Sequence, residues 1–157
     1  MKEETKKIII NILIAVLTVA VVAVVSTIFT NTKSDWYLSL KQPSETVPEI
    51  VFPIVWSTIY ILFALFIYFN LKNEKFNGKL TTLLIINGIL NILWCLVFFT
   101  LHQLLLGLIC IVLNLIFGFV LLNEINKSNK LFGYLLFIYP IWLSIATCLN
   151  LSAWNLN

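Results

Sequence analysis

Five apolar stretches, at 8–29, 50–70, 80–99, 104–122 and 131–151, fill most of this chain and decide its fold class before any motif does. Each reaches about 20 residues, which at 1.5 Å rise per residue spans a hydrocarbon core of about 30 Å. None alternates apolar and polar residues as a membrane-barrel strand would, so helices must satisfy the backbone inside lipid. The sequence predicts an all-α membrane protein, a five-transmembrane-helix bundle forming one domain over residues 1–157, with a lid-like loop at 30–49. Only 11% of residues are charged, against ~25% in a soluble domain, and no linker or low-complexity tract interrupts the pattern. The first stretch is too long for a signal-peptide core and has no small-residue cleavage pattern, so its retention is expected.

Orientation follows from the lysines, since the chain has no arginine. With five spans, the N-terminus and the second and fourth loops share one side. That side carries Lys2, Lys6, Lys7, Lys72, Lys75, Lys79, Lys127 and Lys130, while the other carries only Lys33 and Lys41. The positive-inside rule places the N-terminus in the cytoplasm and the C-terminus outside. The expected location is a bacterial cell membrane: lysine instead of arginine, with abundant Ile and Asn, suggests an AT-rich genome. The net charge of +3 is topogenic and gives no reason to expect nucleic acid; the lipid bilayer is the first partner.

Conventional catalytic and metal chemistry finds little footing. Cys95, Cys110 and Cys148 fall within spans, are odd in number and lack metal-ligand spacing, so they read as small apolar side chains. The single histidine, His102, sits in the short third loop, where an interfacial role outweighs approach to a haem iron. No carboxylate pair lies inside the membrane. Glu124 comes closest and can reach the cytoplasmic interface, which disfavours a proton-coupled transporter. No metal site and no required cofactor are expected.

The polar groups within the spans are amides, and they share faces with aromatic rings. Asn87, Asn91, Trp94 and Phe98 follow helical spacing on the third span. Phe52, Trp56, Tyr60 and Phe63 form a stripe on the second, and Trp142, Ala146 and Asn150 one on the fifth. Such stripes commonly pack helices, with amide hydrogen bonds worth about 0.6–2 kcal/mol as glue. Depth favours more than packing. Measured from the outer surface, Trp56 lies about 9 Å down, Asn91 roughly 12 Å and Trp142 about 14 Å. An aromatic belt does not explain indoles at that depth. A pocket in the outer half of the bundle does, and flat rings at one level suit a flat, apolar ligand. Pro140 can kink the fifth helix beside Trp142, and Ala146 leaves room one turn on.

The loop at 30–49 lies on the same outer side and carries Trp36, Tyr37, Pro43 and Pro48. A stiffened, partly apolar loop of this length is expected to fold back over the pocket as a lid. On the fourth span, Gly107, Cys110, Asn114 and Gly118 make a narrow face suited to close packing, within one protomer or between two.

These segments resemble a known family. Residues 36–43 look like its first-loop WYxxLxxP pattern, and residues 48–60 like its second-helix PxxVFxxVWxxxY. Asn91, Trp94, Phe98, Phe99 and His102 resemble its NxxW…FFxxH, and residues 142–157 its WxxxATxLN…WxLN ending. The family is that of the tryptophan-rich sensory and translocator proteins (TspO/MBR, the peripheral-type benzodiazepine receptor). The resemblance implies a five-helix bundle, commonly a homodimer, that binds tetrapyrroles such as porphyrin or haem as ligands. By that resemblance the ligand-binding residues are Trp36, Tyr37, Trp56, Asn91 and Trp142, with Tyr60, Asn87 and Ala146 as lining. Some bacterial members degrade protoporphyrin in light, which would give Trp56 and Trp142 a chemical role.

The leading expectation is a receptor, sensor or carrier for a tetrapyrrole. The alternative from the enzyme class is light- or oxygen-dependent porphyrin breakdown, for which no standard catalytic motif is present. A third is a structural or regulatory membrane subunit.

Overall fold

The computed structural model describes residues 3–41, 43 and 47–157. Lys2, one of the topogenic lysines, and positions 42 and 44–46 of the expected lid lie outside the described residues. The described residues form helices throughout, and five of these are long and apolar enough to cross a membrane. Helix α1 spans Glu3–Phe29, the short α2 Asp35–Ser39, α3 Val51–Lys72 and α4 Gly78–Cys95. A π-helical turn, Leu96–Thr100, prolongs α4. Helix α5 spans Leu104–Ser128, and the last crossing is divided into α6, Lys130–Leu135, and α7, Ile138–Leu156. The protein is thus an all-α, five-helix, multi-pass membrane protein. Several helices run past the apolar runs, because polar residues at the membrane surface continue a helix at little cost.

Local chemistry accounts for the ends. Ser34 caps α2 by accepting from Tyr37 N at 3.2 Å, and Asn77 caps α4 by accepting from Leu80 N at 2.8 Å. Asn129 caps α6 through Leu131 N and Phe132 N. The break between α6 and α7 falls at Leu136 and Phe137. Proline has no N–H, and its ring clashes with the carbonyl four residues back. For Pro140 that carbonyl is Leu136's, so the helix is interrupted there, a full turn ahead of Trp142.

Around the bundle the order is α3, α1, α4, α5, α7, each packed on the next. The ring nearly opens between α7 and α3, whose backbones scarcely approach. Aromatic side chains fill that seam. Phe52 meets Trp142 edge-on at 5.2 Å between centroids, and Phe63 meets Tyr139 likewise at 5.3 Å. At the end of the bundle that carries the α3 to α4 connection, Glu124 Oε1 accepts from Lys79 and Lys127, both at 2.7 Å. Lys7 pairs with Glu74 at 2.7 Å and holds that carboxyl below the usual carboxylate range.

The small-residue face of α5 packs within the protomer. Gly107 lies against Phe98 of the π turn, Asn114 is fully buried, and Gly118 lies against Leu143 and Tyr139 of α7.

Candidate functional site

The inner site lies between α1, α3 and α4. It is a cavity of about 60 Å³ lined by Trp56, Ile59, Tyr60 and Phe63 of α3 and by Asn87, Gly88 and Asn91 of α4. Thr18, Val19 and Val22 of α1 close one side, and Tyr139 of α7 reaches the other. One wall is aromatic: Trp56 stacks on Tyr60 at 5.7 Å and lies 6.3 Å from Trp94 and 6.4 Å from Tyr139. This follows from spacing, because residues four apart on α3 project to one side.

Asn87 and Asn91 on the lining belong to an amide network that runs on into the bundle. Asn87 Nδ2 donates to Asn114 Oδ1 at 2.8 Å, and the Tyr139 hydroxyl donates to Asn87 Oδ1 at 2.9 Å, with Asn114 Oδ1 at 3.3 Å. Asn91 Oδ1 accepts from Ser26 Oγ of α1 at 3.3 Å. Trp94 donates its indole N–H to Asn150 Oδ1 at 3.1 Å, and Asn150 donates back to the Ala146 carbonyl at 2.8 Å. Asn87 and Asn91 therefore do both jobs: they tie helices together and line the cavity.

Of the eight residues singled out from the sequence, the fold brings Trp56, Tyr60, Asn87 and Asn91 to this cavity. Trp142 and Ala146 are not in its lining. They are buried on α7 at 4% and 3% exposure, with Trp142 behind Phe52. Trp142 Nε1 and Asn114 Nδ2 are, among the described residues, the buried side-chain donors with no partner in the protein. Trp36 and Tyr37 stand outside the cavity as well, on α2 above the π turn.

That placement makes α2 the anchor of the first loop. Trp36 stacks on the His102 imidazole at 4.1 Å and 12°, and meets Phe98 edge-on at 5.8 Å. Tyr37 packs on Phe99 at 5.6 Å, and burial, with the Glu49 carboxylate adding to it, pushes its phenol pKa up. His102 itself adopts a left-handed backbone, φ 56°, in the tight turn between the π turn and α5. Asn157 fastens the first loop: its Oδ1 accepts from Lys41 N at 2.9 Å, while its Nδ2 donates to Lys41 O at 3.3 Å.

Three contributors were not singled out from the sequence. Tyr139 stands three residues before Trp142, so the fifth-span stripe could have been extended back to it. On the largely apolar α1 the signal that could have been used is Asn11, Ala15 and Ser26, which share one face and are its buried positions. The reciprocal Asn157 bond joins positions 116 apart, a distance no local pattern encodes.

Comparison with known proteins places this geometry. The TspO/MBR family model matches residues 14–155. The chain belongs to the TspO/MBR family. It is 33% identical over 126 residues to protein CrtK of Rhodobacter capsulatus, covering 78% of each chain. It is also 33% identical over 135 residues to the tryptophan-rich protein TspO of Chlorobaculum tepidum, covering 82% of this chain and 84% of that one. The TspO protein of Archaeoglobus fulgidus is 26% identical over 154 residues, 95% of this chain and 98% of its own. Within this TspO/MBR member, the family match takes in the lid helix, the aromatic wall and the amide network together.

Proposed function

We propose that this protein is a membrane receptor, sensor or carrier for a tetrapyrrole, held between the Trp56 and Tyr60 wall and the Asn87 and Asn91 amides beneath the Trp36 lid. The observation that carries this reading is the cavity itself: stacked aromatic rings facing amides inside a bilayer-spanning bundle, in a chain of the TspO/MBR family. Flat π-systems stack on such rings for about 0.5–1.5 kcal/mol per pair beyond the area they bury. The porphyrin's carboxylates would turn toward the outer surface, where water and lid donors lie. At about 60 Å³ the cavity holds roughly two waters, whereas ligand pockets measure about 300–1,000 Å³. Binding therefore requires helices to part. Helix α1 is suited to that, with Asn11, Ala15 and Ser26 its only buried positions among the described residues.

Light- or oxygen-dependent breakdown of the bound porphyrin is the second reading. Trp56, an oxidisable indole on the cavity wall with Trp94 beside it, favours that reading. One experiment separates the two: an absorbance titration of the purified protein with protoporphyrin, first dark and then illuminated. Saturable binding alone supports a receptor or carrier, and a bleached porphyrin with a new product supports the enzyme. No saturable binding sinks both and leaves a structural or regulatory subunit.

We further propose a cytoplasmic N-terminus and an outer C-terminus, on the eight-to-two lysine division, and, on family membership alone, a homodimeric assembly. Reporters fused at the two ends should be accessible from opposite sides. A C-terminal reporter reached only from the cytoplasm would reverse the orientation.

His102 lies outside the cavity lining, so His102→Ala should leave the affinity for metal-free protoporphyrin within a few fold. A loss beyond tenfold, about 1.4 kcal/mol, would make the histidine a direct contact.

A further inference from the structure

A second and larger hollow lies on the membrane-facing side of α1 and α4. It is an apolar groove of about 560 Å³ whose walls include Ile14 and Val21 of α1 and Ile85, Ile89 and Ile92 of α4. Thr18, Val22, Ile67, Leu84 and Gly88 line this groove and the inner cavity alike. The two hollows are thus neighbours divided by a single layer of side chains. At that layer α1 and α4 touch closely: a Cβ on Gly88 would stand 3.0 Å from Val22 Cγ2. The Thr18 hydroxyl is spent on the Ile14 carbonyl of its own helix, at 2.7 Å, so this stretch holds α1 to α4 by apolar packing. The polar ties of α1 lie beyond it, through Lys7 with Glu74 at one end and Ser26 with Asn91 at the other.

We propose that the α1 and α4 groove is a lateral vestibule, in which a flat apolar ligand dissolved in the bilayer docks before passing between Val22 and Gly88 into the inner cavity. The inference rests on the ligand-binding reading above and names the route that the reading leaves open. Volume decides for this route: the groove alone is of ligand size, while the inner cavity is an order of magnitude smaller. Polarity agrees with it. A porphyrin partitions into lipid, and the groove opens on lipid-facing isoleucines, whereas the first loop is tied down by the Trp36 stack on His102 and the Lys41 pairing with Asn157. Continuity with the inner cavity makes that same ligand the occupant.

The test fills the vestibule without touching the cavity lining. Ile85 and Ile89 are 56% and 52% exposed, so Ile85→Trp and Ile89→Trp add bulk on the lipid side without overpacking the core. Protein in phosphatidylcholine nanodiscs is mixed with vesicles carrying protoporphyrin, and the change in porphyrin absorbance on binding is followed in time. Each filled variant should associate at least fivefold more slowly with equilibrium affinity within twofold, because a barrier on the path slows entry and exit alike. Ile89→Ala should associate faster, and Asn157→Ala, which loosens the lid, should leave the rate unchanged. Unaltered rates in the filled variants, or faster association in the lid variant, overturn the vestibule while binding itself stands. Conversion of a dimer to monomer by the filling substitutions also overturns it, since the groove would then seat a second copy. Absence of saturable binding in the unsubstituted protein overturns the vestibule and the ligand-binding reading together.

Discussion

Gly107→Leu is expected to destabilise the bundle by about 1–3 kcal/mol, the usual range for overpacking a close contact. A Cβ at Gly107 would lie 3.0 Å from both Cβ and Cδ2 of Phe98 and 3.4 Å from its Cα. Two of those atoms sit on or next to the backbone, so no change of rotamer relieves the contact, and α5 must move away from the π turn. Phe98 also supports Trp36, so the lid should loosen in the same variant. Gly78→Leu is the matching control, because a Cβ there meets nothing within 4 Å. Reversible unfolding in detergent gives the stability. Limited proteolysis at Lys41, whose backbone is paired with Asn157, reports on the lid. Equal stability for both leucine variants would refute the close approach of α5 to the π turn.

Trp56→Phe is expected to weaken protoporphyrin binding by about 0.5–1.5 kcal/mol, the range for one aromatic pair, and to depress any photodegradation far more. Phenylalanine keeps a ring on the cavity wall, so stacking is reduced and not lost. It also removes the indole, the readily oxidised group nearest the ligand. Trp142→Phe, packed on Phe52 outside the cavity lining, should weaken binding less than Trp56→Phe does and leave the bundle folded. Trp154, 43% exposed near the end of α7, should tolerate phenylalanine in both assays as an interfacial residue. Fluorescence quenching measures the affinity and illuminated absorbance decay the turnover, on all three variants. Damage from Trp154→Phe equal to that from Trp142→Phe would make the indoles general packing groups.

The two predictions draw on different kinds of information. Trp56, Tyr60, Asn87 and Asn91 could be picked out from the sequence because an amide or a stack of rings inside a span needs a reason. The approach of Gly107 to Phe98 could not, since a glycine on an apolar span fits many neighbours equally well. Apolar content showed that the loop of Trp36 and Tyr37 should pack back on the bundle, but not on which partners, which come from the π turn and its His102 bend. Trp142 was legible as a deep indole. Its place in the seam against Phe52, outside the cavity lining, depends on how α7 stands beside α3.

The sequence by itself determined that five helices cross the membrane and which of their faces carry amides and rings. The reasons are lengths and costs: about 20 apolar residues span the hydrocarbon, and a polar group inside it must find a partner. Only the tertiary structure decided which helices are neighbours, and hence that α1 closes the inner cavity and borders the groove. In lipid an apolar side chain is equally content inside the bundle or outside it, so the apolar residues of α1 cannot point it inward. What orients α1 is contact with the rest of the fold: Val22 against Gly88, Ser26 with Asn91 and Lys7 with Glu74.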